Sequence, residues 1–169
     1  MLEEELKSTA LHVMQQSRKQ VGKCLTALTE EELWKDFNRH LVSIGNLLLH
    51  LIGNLSQHVL SGLGGIAYAR RRSLEFSDKP GLSKDELYGR FATVVDRAVQ
   101  VIAHLQPGDL TRRYVIQGHE CSGAEDLIIV LEHLSYHTGQ IVFAVKYFKD
   151  VDFGFYADVD LEQPNAPLR

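Results

Sequence analysis

The feature that most limits what this chain can become is the spacing of its apolar residues, which recur at helical intervals along nearly its whole length. In the first segment Leu6, Ala10, Val13, Val21, Cys24, Leu25 and Leu28 follow i, i+3, i+4 and i+7 steps. Such residues line one face of an amphipathic helix. A second helix is predicted from Ser43, a good N-cap residue, through Leu47, Leu48, Leu51, Leu55 and Val59, with Gly62, Gly64 and Gly65 as its stop. A charged loop follows, and Asp78-Lys79-Pro80-Gly81 is its clearest turn signal.

Capping boxes mark the next starts. In Ser83-Lys84-Asp85-Glu86 and Ser122-Gly123-Ala124-Glu125 the serine oxygen accepts from a free backbone N–H and the glutamate reaches back to the serine N–H. The third helix buries Leu87, Phe91, Val94, Val95, Ala98, Val101, Ile102 and Leu105, and the fourth runs to about Lys149. Thr29-Glu30-Glu31-Glu32 predicts a short extra helix carrying Trp34. Arg113 to Ile116 reads as extended, and Phe153, Phe155 and Tyr156 in the tail must pack on something. Helices two and four are apolar on nearly all sides, which places them inside the fold. The whole predicts an all-α, four-helix bundle with a long connection between helices two and three, one domain over residues 1–169.

Composition narrows the function. The formal net charge is -4 with a pI near 6.0, and the one dense basic run, Arg70-Arg71-Arg72, reads as a solvated turn or helix end rather than a phosphate patch. No nucleic-acid partner is expected. Cys24 and Cys121 are too few for a disulfide framework and lack an identifiable activating cation. The start of the chain is acidic rather than signal-like, and the longest apolar stretch, Ile44 to Leu55, is too short to span a bilayer. A cytoplasmic protein without a membrane partner is expected. No phosphate-binding glycine loop or dinucleotide fingerprint is present.

Of eight histidines, one pair has helical ligand spacing. His133 and His137 lie one turn apart on one face, so both imidazoles can reach one ion. Core packing is an equally good account of the pair taken alone. His50 strengthens the metal reading, because a lone histidine in so apolar a helix needs a partner. A metal shared with helix four would supply it, as would a buried carbonyl. Asn46 and Asn54, one turn either side, are candidates to orient its ring or to join helices. Gln140 is a candidate to touch a ligand or to pack. His119-Glu120-Cys121 has poor ligand spacing, and His12, His40, His58 and His104 read as surface or boundary residues.

Asn46-Leu47-Leu48-Leu49-His50-Leu51-Ile52-Gly53-Asn54-Leu55, followed far downstream by His133-Leu134-Ser135-Tyr136-His137-Thr138-Gly139-Gln140-Ile141, resembles the DinB/YfiT-like superfamily of metal-dependent four-helix proteins. Arg72-Ser73-Leu74-Glu75-Phe76-Ser77-Asp78 and Ala144-Val145-Lys146 resemble one bacterial subfamily of unknown function. The resemblance spans almost the whole chain. It implies a bundle with a three-histidine metal site at His50, His133 and His137, often in a homodimer. Some relatives are thiol-dependent S-transferases or hydrolases.

Three protein ligands leave a coordination position open, as in catalytic zinc sites, where bound water is acidified toward a pKa of about 7. Zinc is the leading expectation, with nickel, iron and manganese as alternatives. Glu132 projects away from the histidine pair and residues 134–136 hold no glutamate, so the zinc-protease motif and an obvious general base are both missing. Two functions are carried forward. One is a metal-dependent enzyme acting on a small molecule by hydrolysis or thiol S-transfer; the other is a noncatalytic metal-binding or interaction module. An open cleft at the metal would favour the first, and histidines sealed by side chains the second.

Overall fold

The computed structural model describes residues 1–165. The protein is mostly helical, 62% helix and 6% strand. Its elements are α1 (Leu2–Ala27), α2 (Glu30–Leu33), α3 (Ile44–Leu55), a π-helix (Ser56–Leu63), α4 (Arg72–Ser77), α5 (Lys84–Ala103), β1 (Arg113–Ile116), β2 (His119–Ser122) and α6 (Gly123–Lys149).

The starts of these helices follow from their caps. Thr29, Ser83 and Ser122 each form the reciprocal capping box, and the Ser43 hydroxyl caps α3 by accepting from Asn46 N–H. The apolar stripes then decide the packing. α1 lies against α5 and α6, and α3 lies against the same two helices from the other side. Between them Met14, Leu48, Leu51, Phe91, Leu127 and Leu134 belong to one continuous buried cluster. β1 and β2 pair antiparallel, Arg113 opposite Ser122, and close the passage from α5 to α6. The tail folds back through stacked Phe153 and Phe155, with the Lys23 ammonium 5.6 Å above the Phe155 ring.

Three features differ from the sequence expectation. The second helix does not continue as α to its glycines; beyond Leu55 it widens into a π-helix, which turns less per residue than an α-helix. Gly62 there admits the Ile116 side chain, since a Cβ would stand 2.6 Å from Ile116 Cδ1. The connection to α5 is not simply a loop, because α4 forms within it. Six residues are too few to show a period, and α4 has no side-chain cap; its docking through buried Glu75 supplies the order that propensity does not. Finally, α6 is not apolar on all sides because it is sealed. Ile128, Ile129, Tyr136, Phe143 and Tyr147 are each more than half exposed, while Leu127, Val130, Leu134, Ile141, Ala144 and Val145 are buried in the core. By length and composition α6 is apolar enough to cross a membrane, yet here it packs along α1 and presents buried Asp126 to His58.

Candidate metal centre

His50 sits in the middle of α3, 3% exposed. α6 carries His133 and His137 toward it from across the core. The Nε2 atoms of His50 and His133 lie 2.8 Å apart. Ring centroids are separated by 4.9 Å for His50 and His133, 5.0 Å for His50 and His137, and 4.5 Å for the pair on α6. One nitrogen from each ring falls within 4.8 Å of the other two, so the group could hold a metal ion.

What fixes these rings is a set of partners on their other nitrogens. His50 Nδ1 is 2.8 Å from Glu75 Oε2. Arg70 grips the same carboxylate with Nε to Oε1 at 2.6 Å and Nη2 to Oε2 at 2.8 Å, the two-pronged geometry that suits guanidinium and carboxylate. Arg70 Nη2 also stands 3.1 Å from His50 Nδ1. Arginine can only donate, and the contact to the carboxylate is shorter and charge-assisted, so Nδ1 carries the proton and gives it to Glu75. That leaves the Nε2 lone pair facing the other histidines. His137 is held likewise, its Nδ1 2.7 Å from Gln140 Oε1.

Arg70 reaches further. Its Nη1 donates to Gln57 Oε1 at 3.2 Å, which also accepts from Gln117 Nε2 at 2.7 Å. A polar chain thus runs from the β-hairpin to His50. Gly53 makes room for it: a Cβ there would stand 2.0 Å from Glu75 Oε1.

The charge states agree with this arrangement. Burial depresses the pKa of all three histidines, with Glu75 partly opposing it at His50 and Gln140 at His137. His133, whose neighbours His137 and His50 add to the effect of burial, is pushed down to about 4. Three neutral imidazoles are the protonation state a divalent ion requires. Burial alone would raise the Glu75 pKa, but the hydrogen bonds from Arg70 and His50 prevail and hold it below the usual carboxylate range. On donor type, convergence and neutrality, the three residues fit an ion.

The structure therefore brings together His133 and His137, singled out by spacing, and His50, singled out as a lone histidine in an apolar helix. It reassigns their neighbours. The Asn46 amide donates to the Glu75 and Asp78 carbonyls at 3.0 and 2.8 Å, so it fastens α4 and does not touch the His50 ring. Asn54 Oδ1 is buried without a partner. Glu75 and Arg70 were not legible as site residues, because they lie in a charged connection with no ligand spacing. His58 is the boundary residue of the four set aside: half-buried, its Nδ1 lies 2.7 Å from Asp126 Oδ1, and Asp126 is 2% exposed. Cys24 is fully buried and its thiol is pushed up to about 11 by that burial. Cys121 is raised as well, by burial and then by Asp126. Neither favours a thiolate at neutral pH.

A cleft of about 720 Å³ opens beside His137 and Gln140, between α3, α4, α6 and the turn before α3. Residues 3–157 match the model of a family described as a protein of unknown function, DUF1572. The chain belongs to the DUF1572 family. Among solved structures similar to this DUF1572 chain is that of a DinB-like protein from Bacillus cereus ATCC 10987. The two share 18% identity and a TM-score of 0.66 over 82% of this chain and 90% of that one. The DUF1572 chain thus has a DinB-like fold, as its histidine pattern implied. No curated protein matches it.

Proposed function

We propose that this DUF1572 protein holds one divalent metal ion with His50, His133 and His137 and acts on a small molecule, by thiol S-transfer or by hydrolysis. The observation that carries this reading is the position of the cleft. It borders His137 and the glutamine that orients it, so one of the three histidines is reached from outside rather than sealed.

A bound ion supplies Lewis acidity, which makes a weak oxygen or sulfur nucleophile acidic near neutral pH. The chain's own part is to present three neutral imidazoles, to keep the His50 Nε2 lone pair turned inward through Glu75, and to shield His50 from bulk water. Glu75 is committed to Arg70 and His50, which argues against its use as a base. A thiol nucleophile, needing no separate base once ionised, fits better than water. Zinc is the leading metal by ligand type. A noncatalytic metal-binding module is the second reading, favoured by the near-complete burial of His50. The pairwise packing of α1, α3, α5 and α6 supports a DinB/YfiT-type four-helix bundle, and a single domain in the cytoplasm completes the proposal.

The test begins with elemental analysis of protein purified without a nickel column, expected to give about one ion per chain. His137→Ala should lose tight binding and keep the helical circular dichroism signal, since the core is apolar and independent of metal. No binding at micromolar zinc, nickel, iron or manganese would reject the metal centre. Loaded protein is then incubated with cellular thiols plus generic electrophiles, and separately with esters and amides. If neither panel shows turnover that vanishes in His50→Ala, the noncatalytic reading replaces the enzyme.

A further inference from the structure

Four segments wall the cleft beside His137: the turn over residues 37–42, Leu47 on α3, Phe76 on α4, and α6 from Tyr136 to Tyr147. Its volume of about 720 Å³ is that of a site for one small molecule. Among the described residues, no Asp, Glu, Lys or Arg lines it. An ionised group sunk into it would lose water and find no counter-charge in the lining itself, which is costly; the neighbouring guanidinium groups are engaged by the walls, Arg39 with His40 Nε2 at 2.8 Å and Arg72 with the Phe76 ring at 4.9 Å. Five of its lining side chains are aromatic, and the polar ones, Asn38, His40, His137 and Gln140, can hydrogen-bond without a fixed charge.

The walls are braced. Phe37 stacks on Phe148 at 4.9 Å. Phe76 is contacted by the His50 ring, at 4.8 Å, and by the Arg72 guanidinium, at 4.9 Å. On the α6 side Phe143 and Tyr147 are 74% and 78% exposed. Large aromatic side chains left in water on one face need a reason, and a flat aromatic guest supplies one through stacked or edge contacts.

From this lining we infer that the cleft binds an uncharged aromatic small molecule, its ring among Phe76, Tyr136 and Phe143 and its polar end at His137 and Gln140. This names the substrate class of the proposed reaction and rests on that reading only for the chemistry at the polar end. The cleft itself needs no ion.

Three probes share one ring and differ in charge: naphthalenemethanol, naphthoate and naphthylmethylammonium. Each is titrated into metal-free and zinc-loaded protein, followed by the ring-proton resonances of the histidines. In the metal-free protein the neutral probe should bind at least about tenfold more tightly than either ion, and in both forms it should move the His137 signals but not those of His12 and His104. Phe143→Asp should weaken it by about the same factor, and Phe143→Leu should retain most of it. Because Phe143 is exposed, neither change threatens the fold. Equal binding of all three probes, no response at His137, or indifference to Phe143→Asp would overturn the inference. So would a probe affinity that falls as protein concentration rises, the sign of a second copy covering the cleft. If zinc fails to bind but the neutral probe still discriminates, the proposed function falls and the cleft stands; if zinc binds and the probes do not discriminate, the reverse holds.

Discussion

Glu75 decides which nitrogen of His50 is free, and that makes it the most informative single residue to change. Glu75→Gln keeps an acceptor for Nδ1–H but removes the charge that Arg70 and His50 share. Metal affinity should fall roughly 10–100-fold, the usual cost of losing a residue that orients a ligand. A competition titration against a chromophoric chelator measures it, and unchanged affinity would deny Glu75 that role. The histidines predict a pH dependence of the metal-free protein. Their folded pKa values lie below the ordinary 6.5, with His133 at about 4. Between those values the unfolded chain binds more protons than the folded one, so stability rises with pH. The melting temperature should drop as pH falls from 6.5 toward 4, and His133→Ala should flatten that slope; a slope unchanged in the variant would place its cause elsewhere. The three histidines were readable because an i, i+4 pair and a lone imidazole in an apolar helix are both uncommon. Glu75 was not, because one carboxylate in a charged stretch looks like any other. Of the two readings open for Asn46, joining segments is the one the fold takes, for a geometric reason: residues one turn away on one helix stack along its axis, whereas His50 Nδ1 faces a neighbouring segment.

The close fit of α3 against α4 rests on Gly53. In an open helix interior, replacing glycine by alanine stabilises by roughly 0.5–1 kcal/mol. Gly89 in α5 has nothing within 4 Å of where a Cβ would stand, and Gly89→Ala should raise stability by about that amount. Gly53→Ala should do the opposite, because the new methyl would displace Glu75 and Arg70. It should lower both the melting temperature and the metal affinity. Thermal melting of the two variants side by side checks the sign, and a stabilising Gly53→Ala would refute the close contact. Elements with a strong period and a cap were legible in the sequence, as α5 and α6 show. α4 was hidden because its order comes from docking, with Asn46 holding its backbone and Arg70 its carboxylate. The π-helix was hidden because its residues continue an apolar pattern that an α-helix would also satisfy.

For the whole molecule, the helical pattern was sufficient for a mostly helical architecture but blind to which side of α6 stays open. Its apolar residues outnumber those the core takes. We propose that Ile128 and Ile129, both 56% exposed, join two copies of the chain in a homodimer, leaving the cleft by His137 free. Light scattering at high micromolar concentration should give twice the chain mass, and Ile129→Glu should restore a monomer; a monomer in the unaltered protein would contradict the dimer. One further consequence lies in the order of synthesis. His50 and His133 are separated by 83 positions. At about 5–20 residues per second, the second follows the first from the ribosome by roughly 4 to 17 s. Until then His50 lacks both of its partners on α6, and the three-histidine group that could hold an ion is incomplete. The three-histidine group therefore exists only once α6 has been made and has folded onto α3, so any ion held there would be acquired after most of the chain is complete.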